Sequence, residues 1–188
     1  MVNYSENEQP GTEQTPNLQE SVDVLTAKVD SLSTEMNAKV DGIRQDLGEV
    51  RGGHARSAVL RNAALVADGL GCQLISEVPQ GIILGFSRMA ASNSEPPDDV
   101  KSFQQADLVL YVSDDQGRPR YLAIEASFTV AGRDIDRAVR NASYLTRYTG
   151  LRADPVVAGV EVLPEAQARI NKREASLYRI ERRDLQPD

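Results

Sequence analysis

Apolar residues recur along the first third of the chain at spacings of four and three residues, with one extra step of four after Met36. The positions are Leu18, Val22, Leu25, Val29, Leu32, Met36, Val40, Ile43, Leu47 and Val50. This spacing predicts a coiled-coil helix over residues 18–51, with a local stutter at the extra step. Val at one core position and Leu at the other favour a parallel two-stranded coil, and hence a homodimer through residues 18–50. The alternative is an amphipathic helix folded back on its own domain.

The segments on either side of this helix differ from it in composition. Residues 1–17 hold mainly Glu, Gln, Asn, Thr and Pro, and such a segment cannot bury enough apolar surface to order itself, so we expect a disordered tail. Gly52 and Gly53 follow the coiled-coil pattern. A glycine pair commonly ends a helix, so we expect a break here and a separate domain over residues 54–188.

From residue 54 onward, helical and strand patterns alternate. Helices are predicted at 54–71, 132–150 and from Pro164, because apolar residues there recur at helical spacing or follow a helix-start signal. Strands are predicted within 72–88, around a Pro-Gln-Gly turn, and at 106–114, 120–130, 154–163 and 175–181, with a polar loop at 91–105. This order predicts an α/β domain with a mixed sheet covered by helices on both faces.

Charge is divided unevenly along the chain. The net charge is −7, but residues 1–50 contain ten acids and three bases, whereas residues 51–188 contain eighteen of each. The second part is therefore neutral overall, which is no strong general attraction for nucleic acid. It holds sixteen arginines and two lysines. Arginine suits bidentate contacts to phosphate or carboxylate, so a local basic face remains a possibility.

Several classes of protein are disfavoured by the composition. No apolar run approaches the ~18 residues that a membrane-spanning helix needs, and the first residues lack the basic and apolar regions of a secretory signal. Cys72 is the single cysteine, so no internal disulfide or cysteine-based zinc cluster can form. Together these features predict a cytoplasmic protein with no membrane contact.

One carboxylate lies at or within each of two neighbouring predicted strands. Side chains alternate faces along a strand, so Asp107 shares a face with Val109 and Tyr111, and Glu125 shares a face with Ser127. If the two strands pair as an antiparallel hairpin through the polar turn at 115–119, residue 107 lies opposite residues 125 to 127. The two carboxylates are then neighbours, and such an oxygen-rich pair suits Mg²⁺ or Mn²⁺.

This element order and these two acids resemble the PD-(D/E)XK (restriction-endonuclease-like) nuclease superfamily over residues 54–162. The resemblance implies that Asp107 and Glu125 hold the metal ion. It also implies a lysine two residues after Glu125, but Ser127 stands there, and no lysine occurs between Lys101 and Lys172. Arg133, Arg137 and Arg140 of the next helix are candidate replacements, since site residues of the superfamily migrate to that helix. The acid that many members carry on the first helix has Asp68 as its one candidate here.

Two functions follow as expectations. The first is Mg²⁺-dependent phosphodiester hydrolysis of DNA by a dimer, with Asp107 and Glu125 as metal ligands and with Ser127, Arg133 and Arg137 orienting water or phosphate. The second is a catalytically inactive nuclease-fold module that binds nucleic acid or protein and assembles through its coiled coil. In a third possibility the coil is the functional part and tethers the domain to a partner.

Structural explanations of the same residues remain open. Asp107 could simply cap its strand, and Glu125 could form an ion pair with a helix arginine such as Arg137. Asp134 and Asp136 fall in the first turn of a helix, where acids meet the helix dipole favourably. The basic residues near the end of the chain suit either a phosphate-contacting patch or a solvated tail; they are Lys172, Arg173, Arg179, Arg182 and Arg183.

Overall fold

The computed structural model describes residues 18–185, so the expected disordered tail at 1–17 lies outside the described residues. The chain divides into two units between Gln45 and Asp46. Within the described part, no helix is both long and apolar enough to cross a lipid bilayer.

The described part of the first unit, residues 18–45, is helical. It belongs to helix α1, which runs without interruption over Leu18–Arg61. The predicted helix break at Gly52 and Gly53 is therefore wrong. Beyond the glycine pair, Ala55, Ala58 and Val59 are fully buried in the core of the second unit, and this packing stabilises helix where the two glycines alone would weaken it.

The second unit is an α/β domain, as predicted, with a five-stranded mixed sheet flanked by helices. Its strands are β1 (Cys72–Glu77), β2 (Leu108–Asp114), β3 (Pro119–Val130), β4 (Ala153–Val162) and β5 (Ser176–Arg179). They lie side by side in chain order. The β1–β2 and β2–β3 pairs are antiparallel, and the β3–β4 and β4–β5 pairs are parallel.

Helices precede β1 and connect every pair of successive strands except β2 and β3, which a short turn joins. They are α2 (Ala63–Gly69), α3 (Gln80–Ser92), α4 (Pro97–Gln104), α5 (Gly132–Thr149) and α6 (Pro164–Asn171), and a 3-10 turn follows β5 at Arg182–Leu185. The end of α1 and α2 pack on one face of the sheet. Helices α3, α4 and α5 pack on the other face. On that face α6 packs beside α5 and against β4.

Two parts of the predicted element order are wrong. The apolar run at 81–86 lies in helix α3 and not in a strand, because Ile83, Ser87 and Ala90 bury one side of it at helical spacing. A short apolar run does not distinguish a buried strand from a buried helix. The segment at 91–105, expected as a loop, contains α4, which starts at Pro97 and buries Val100 and Phe103.

The hairpin that carries the two acids is confirmed. Leu108 pairs with Ile124 and Val109 with Ala123, so residue 107 comes opposite Glu125 at the end of this ladder. The predicted faces are also confirmed: Leu108, Leu110 and Val112 point to the α2 side, whereas Val109 and Ala123 point to the α5 side. Helix α5 then carries the chain from β3 to the parallel strand β4 and ends at Gly150, whose φ of 73° is the left-handed conformation that glycine favours.

Strand β4 approaches β3 unusually closely just beyond the acids. A Cβ atom at Gly159 would lie 2.7 Å from the carbonyl oxygen of Ser127 and 2.5 Å from Cγ2 of Val130. Glycine is therefore required here for the backbones to pair.

Candidate functional site

Carboxylates, arginines and an amide converge where β2 begins, β3 is half complete and α5 makes its first turns. We call this group the acid site; its members are Asp107, Glu125, Asp134, Arg56, Arg137 and Asn141. Asp107 immediately precedes β2, Glu125 lies within β3, and α5 supplies Asp134, Arg137 and Asn141. Arg56 comes from the end of α1.

Arg137 joins the three carboxylates. Its Nη2 lies 2.6 Å from Glu125 Oε2, 3.5 Å from Asp134 Oδ1 and 3.9 Å from Asp107 Oδ2. The predicted proximity of Asp107 and Glu125 is thus confirmed, and the guanidinium occupies the position between them where a cation is expected. The acids are buried, with Glu125 2% exposed, while 41% of the Arg137 side chain is exposed.

Each oxygen of the two predicted ligands already has a donor. Asp107 Oδ1 lies 2.6 Å from Arg56 Nε, and Oδ2 accepts a 2.9 Å hydrogen bond from the Ala126 backbone N–H. Glu125 Oε1 accepts a 2.7 Å hydrogen bond from Asn141 Nδ2, and Oε2 pairs with Arg137. The arginine pair considered for Glu125 from the sequence is therefore present, whereas Asp107 bonds to the backbone of the neighbouring strand β3.

The pKa of Glu125 is raised to about 8, and burial of the carboxyl group is the largest cause. The neighbouring charges of Asp107 and Asp134 contribute to this rise, while Arg137 and the hydrogen bond from Asn141 oppose it. Three carboxylates around one guanidinium leave excess negative charge, so the protonated form of Glu125 is favoured. The ionised form of Glu125 needs a cation beside it to remain buried.

The remaining predicted site residues do not join the acid site. Ser127 lies on the same strand as Glu125, but its hydroxyl donates to the Thr129 carbonyl oxygen at 2.9 Å. Arg133 is exposed in the first turn of α5 and has no ion pair with any residue in 18–185. Arg140 instead pairs with Asp99 and Ser102 at 2.8 and 2.7 Å, which ties α5 to α4.

Two other candidates from the sequence are also placed elsewhere. Asp68 is exposed and borders a separate cleft together with Cys72 and Asp114. The single histidine of the chain, His54, is exposed on α1. Asp134 accepts a hydrogen bond from the Ala131 N–H at 2.8 Å, which supports its predicted helix-start role, but it also contacts Arg137.

Sequence reasoning missed Arg56 and Asn141. Asn141 is 1% exposed and follows Arg137 by four residues, so it lies one turn further along the same face of α5. That spacing was a usable signal once Arg137 was a candidate. The sequence around Arg56 does not mark it as a site residue, because its contact with Asp107 joins segments about fifty residues apart. The contact also requires that helix α1 continue past Gly53.

Comparison of the chain with family models, with curated proteins and with solved structures gave no match. The geometry of the acid site therefore carries the functional argument alone.

Proposed function

We propose that residues 46–185 form a PD-(D/E)XK-like domain that binds nucleic acid and hydrolyses phosphodiester bonds with Mg²⁺ or Mn²⁺. The observation that carries this proposal is the meeting of Asp107 and Glu125 from neighbouring strands around Arg137. The element order also supports it: a helix, antiparallel strands that bear the two acids, a helix that bears the basic residue and a parallel strand. Helices α3 and α4 are an insertion between the first two strands.

The two carboxylates suit a magnesium ion that takes only a few of its ligands from the protein. Residues 18–185 contain no group of three or more His, Cys, Asp or Glu side chains arranged to hold a metal ion. Mg²⁺ is often bound through one or two carboxylates, however, and keeps water or substrate phosphate oxygens for its other positions. Asp107 and Glu125 would hold the ion, and when bound it would supply Lewis-acid stabilisation of charge on the phosphate.

The arginines supply charge and position but no base. Arg56 and Arg137 are half-exposed, so each guanidinium can turn from its carboxylate towards a phosphate. Arginine stays protonated and cannot accept a proton from water. Ser127 could orient water only after its hydroxyl leaves the Thr129 carbonyl.

A second candidate function has its own supporting observation. Because all four oxygens of Asp107 and Glu125 have protein donors, the site is satisfied without a metal ion. A catalytically inactive module that binds nucleic acid or protein would have such a site. The two candidates differ in whether a divalent ion displaces the arginines.

Cleavage of plasmid and single-stranded DNA in Mg²⁺ or Mn²⁺ tests the first candidate. Asp107→Ala and Glu125→Ala should each lower metal-dependent cleavage by ~10²–10³-fold, the typical cost of removing transition-state charge stabilisation. Asp136→Asn is the matched control, since Asp136 lies on the same helical turn as Arg137 but pairs with Arg169, and it should cleave like the wild type. Equal activity in Glu125→Ala and Asp136→Asn would contradict the proposal, and no cleavage by the wild type would favour the inactive module.

We also propose that the domain is paired with a second copy through the seam at residues 18–50. All ten seam residues remain solvent-exposed, from 38% for Val40 to 83% for Leu18. An isolated helix with an uncovered apolar seam is marginal in water, and the Val and Leu positions favour a parallel two-stranded coil.

Sedimentation equilibrium tests this partner. Leu25→Glu together with Leu32→Glu should give a monomer with the α/β domain still folded, whereas Ala27→Glu with Thr34→Glu, outside the seam on the same helix, should remain dimeric. Wild-type protein that sediments as a monomer at all accessible concentrations would overturn the homodimer.

A further inference from the structure

A cleft of about 310 Å³ opens beside the acid site. Its walls come from the end of α1, the start of α3 and the start of β2. Leu60, Val78 and Pro79 contribute apolar residues to the lining, and Glu77, Gln80 and Asp107 contribute polar ones. This volume lies at the lower end of the ~300–1,000 Å³ typical of small-molecule sites, and it is enough for one nucleoside.

Arg56 connects this cleft to the acid site. It precedes Leu60 by four residues on α1, so the two side chains lie on the same side of the helix. Its Nε contacts Asp107, which lines the cleft, while 53% of its side chain is exposed. A guanidinium has more N–H donors than one carboxylate can accept, so Arg56 keeps donors for a second anion.

We propose that this cleft binds a nucleotide of the nucleic acid, with the base against Leu60, Val78 and Pro79 and the phosphate at Arg56. This subsite rests on the proposed function in one respect, because the bound nucleic-acid strand is taken to continue from the cleft into the acid site. It adds a subsite and a substrate preference. Because a base fills such a cleft only when it is unstacked, the preferred ligand is single-stranded.

Glu77, an acidic residue of the cleft lining, gives the subsite a base preference. The carboxylate of Glu77 is an acceptor only, so it favours bases with an exocyclic amino group. Adenine and cytosine carry that group, whereas thymine carries a carbonyl oxygen in its place. Binding of oligo(dA) and oligo(dC) should therefore exceed binding of oligo(dT).

Fluorescence anisotropy in EDTA tests the subsite without any metal ion, with labelled oligo(dA), oligo(dC) and oligo(dT) of about twelve nucleotides as probes. Arg56→Gln should weaken all three complexes by about tenfold and lower the salt slope by about 0.7, the value for one phosphate contact on a single strand. Arg118→Gln is its matched control, because Arg118 pairs with Asp114 at the far end of β2. Thermal unfolding of each variant shows whether it is folded.

Two further variants separate the base from the phosphate. Glu77→Gln should bring the affinity for oligo(dT) level with that for oligo(dA), since the amide can donate as well as accept. Leu60→Ser should weaken all three complexes by about fivefold through lost apolar contact, whereas Leu65→Ser, an exposed leucine outside the cleft, should leave them unchanged.

The outcomes distinguish this inference from the proposed hydrolysis. Equal affinities for Arg56→Gln and Arg118→Gln, or for Leu60→Ser and Leu65→Ser, would overturn the subsite even if Mn²⁺-dependent cleavage were found. Tight binding that depends on Arg56 and Leu60, without any cleavage, would support the subsite and reject the hydrolysis.

Discussion

Strand β2 has an acid–arginine cluster at each end. The acid site lies at its start, and a second cluster, which we call the turn cluster, lies at its end. The turn cluster consists of Asp114, Arg118, Arg120 and Asp154. Here no arginine is shared between carboxylates: Arg118 pairs with Asp114 at 2.8 Å, and Asp154 pairs with Arg120 at 3.0 Å and with Arg152 at 2.7 Å. In the acid site, by contrast, Arg137 contacts three carboxylates.

The two clusters shift their acids in opposite directions. In the turn cluster, hydrogen bonds from the backbone and side chain of Arg118, with a further one from the Gln116 N–H, lower the pKa of Asp114. In the acid site, burial and neighbouring carboxylates raise the pKa of Glu125. A lowered carboxyl pKa, as at Asp114, is typical of ion pairs that stabilise the fold. Crowded buried carboxylates, as around Glu125, cost stability and are typical of functional sites.

The largest expected difference concerns the loss of stability between pH 4.5 and pH 8. The folded-state pKa of Glu125, about 8, exceeds the ordinary value of 4.5, so the stabilisation linked to its proton is complete below pH 4.5 and is lost as pH rises towards 8. This loss should be on the order of 5 kcal/mol. Urea unfolding should show that Glu125→Gln removes most of this slope between pH 5 and 8. An identical slope in wild type and variant would contradict the raised pKa.

A smaller effect should separate the two arginines. Arg137→Gln leaves buried carboxylates with fewer donors and should destabilise the fold by about 1–2 kcal/mol at pH 8, a value reduced for its partial exposure. At pH 5 the cost should shrink, because Glu125 is then protonated. Arg118→Gln should cost less than about 0.5 kcal/mol at pH 8. Equal costs for both variants, measured by urea unfolding at the two pH values, would remove the distinction between the clusters.

The smallest effect should appear in acid. The lowered pKa of Asp114 means that its stabilisation is present above the ordinary value of 3.8 and is lost as pH falls through the folded-state pKa. Asp114→Asn should therefore lower stability slightly at pH 7 and flatten the acid limb of a stability–pH curve, while the limb between pH 5 and 8 keeps its wild-type slope. A change in that second limb would show that the clusters are coupled.

The adjacency of Asp107 and Glu125 could be predicted because it follows from local rules. Alternation along a strand fixes the face of each side chain, and a short polar turn fixes the register of a hairpin. Helix α5 was predictable for a similar reason, since its apolar residues recur at helical spacing and Gly150 marks its end. In both cases the signal and the structure lie within the same few residues.

The wrong sequence predictions concern features that are determined by packing between distant segments of the chain. Gly52 and Gly53 favour a helix end, yet burial of Ala55 and Ala58 against the sheet continues α1. The same continuation brings Arg56 to Asp107, a contact that no local pattern encodes. Helix α3 was mistaken for a strand because its apolar run is too short to reveal its period.

Calorimetric titration with Mn²⁺ determines whether a divalent ion can take the place of Arg137 between Asp107 and Glu125. Wild-type protein at pH 8 should bind one ion per chain, Asp107→Ala and Glu125→Ala should lose that binding, and Asp154→Asn of the turn cluster should retain it. Absence of Mn²⁺ binding by the wild type, or equal binding by Glu125→Ala and Asp154→Asn, would contradict metal binding by Asp107 and Glu125. The acid site would then be a structural ion-pair cluster.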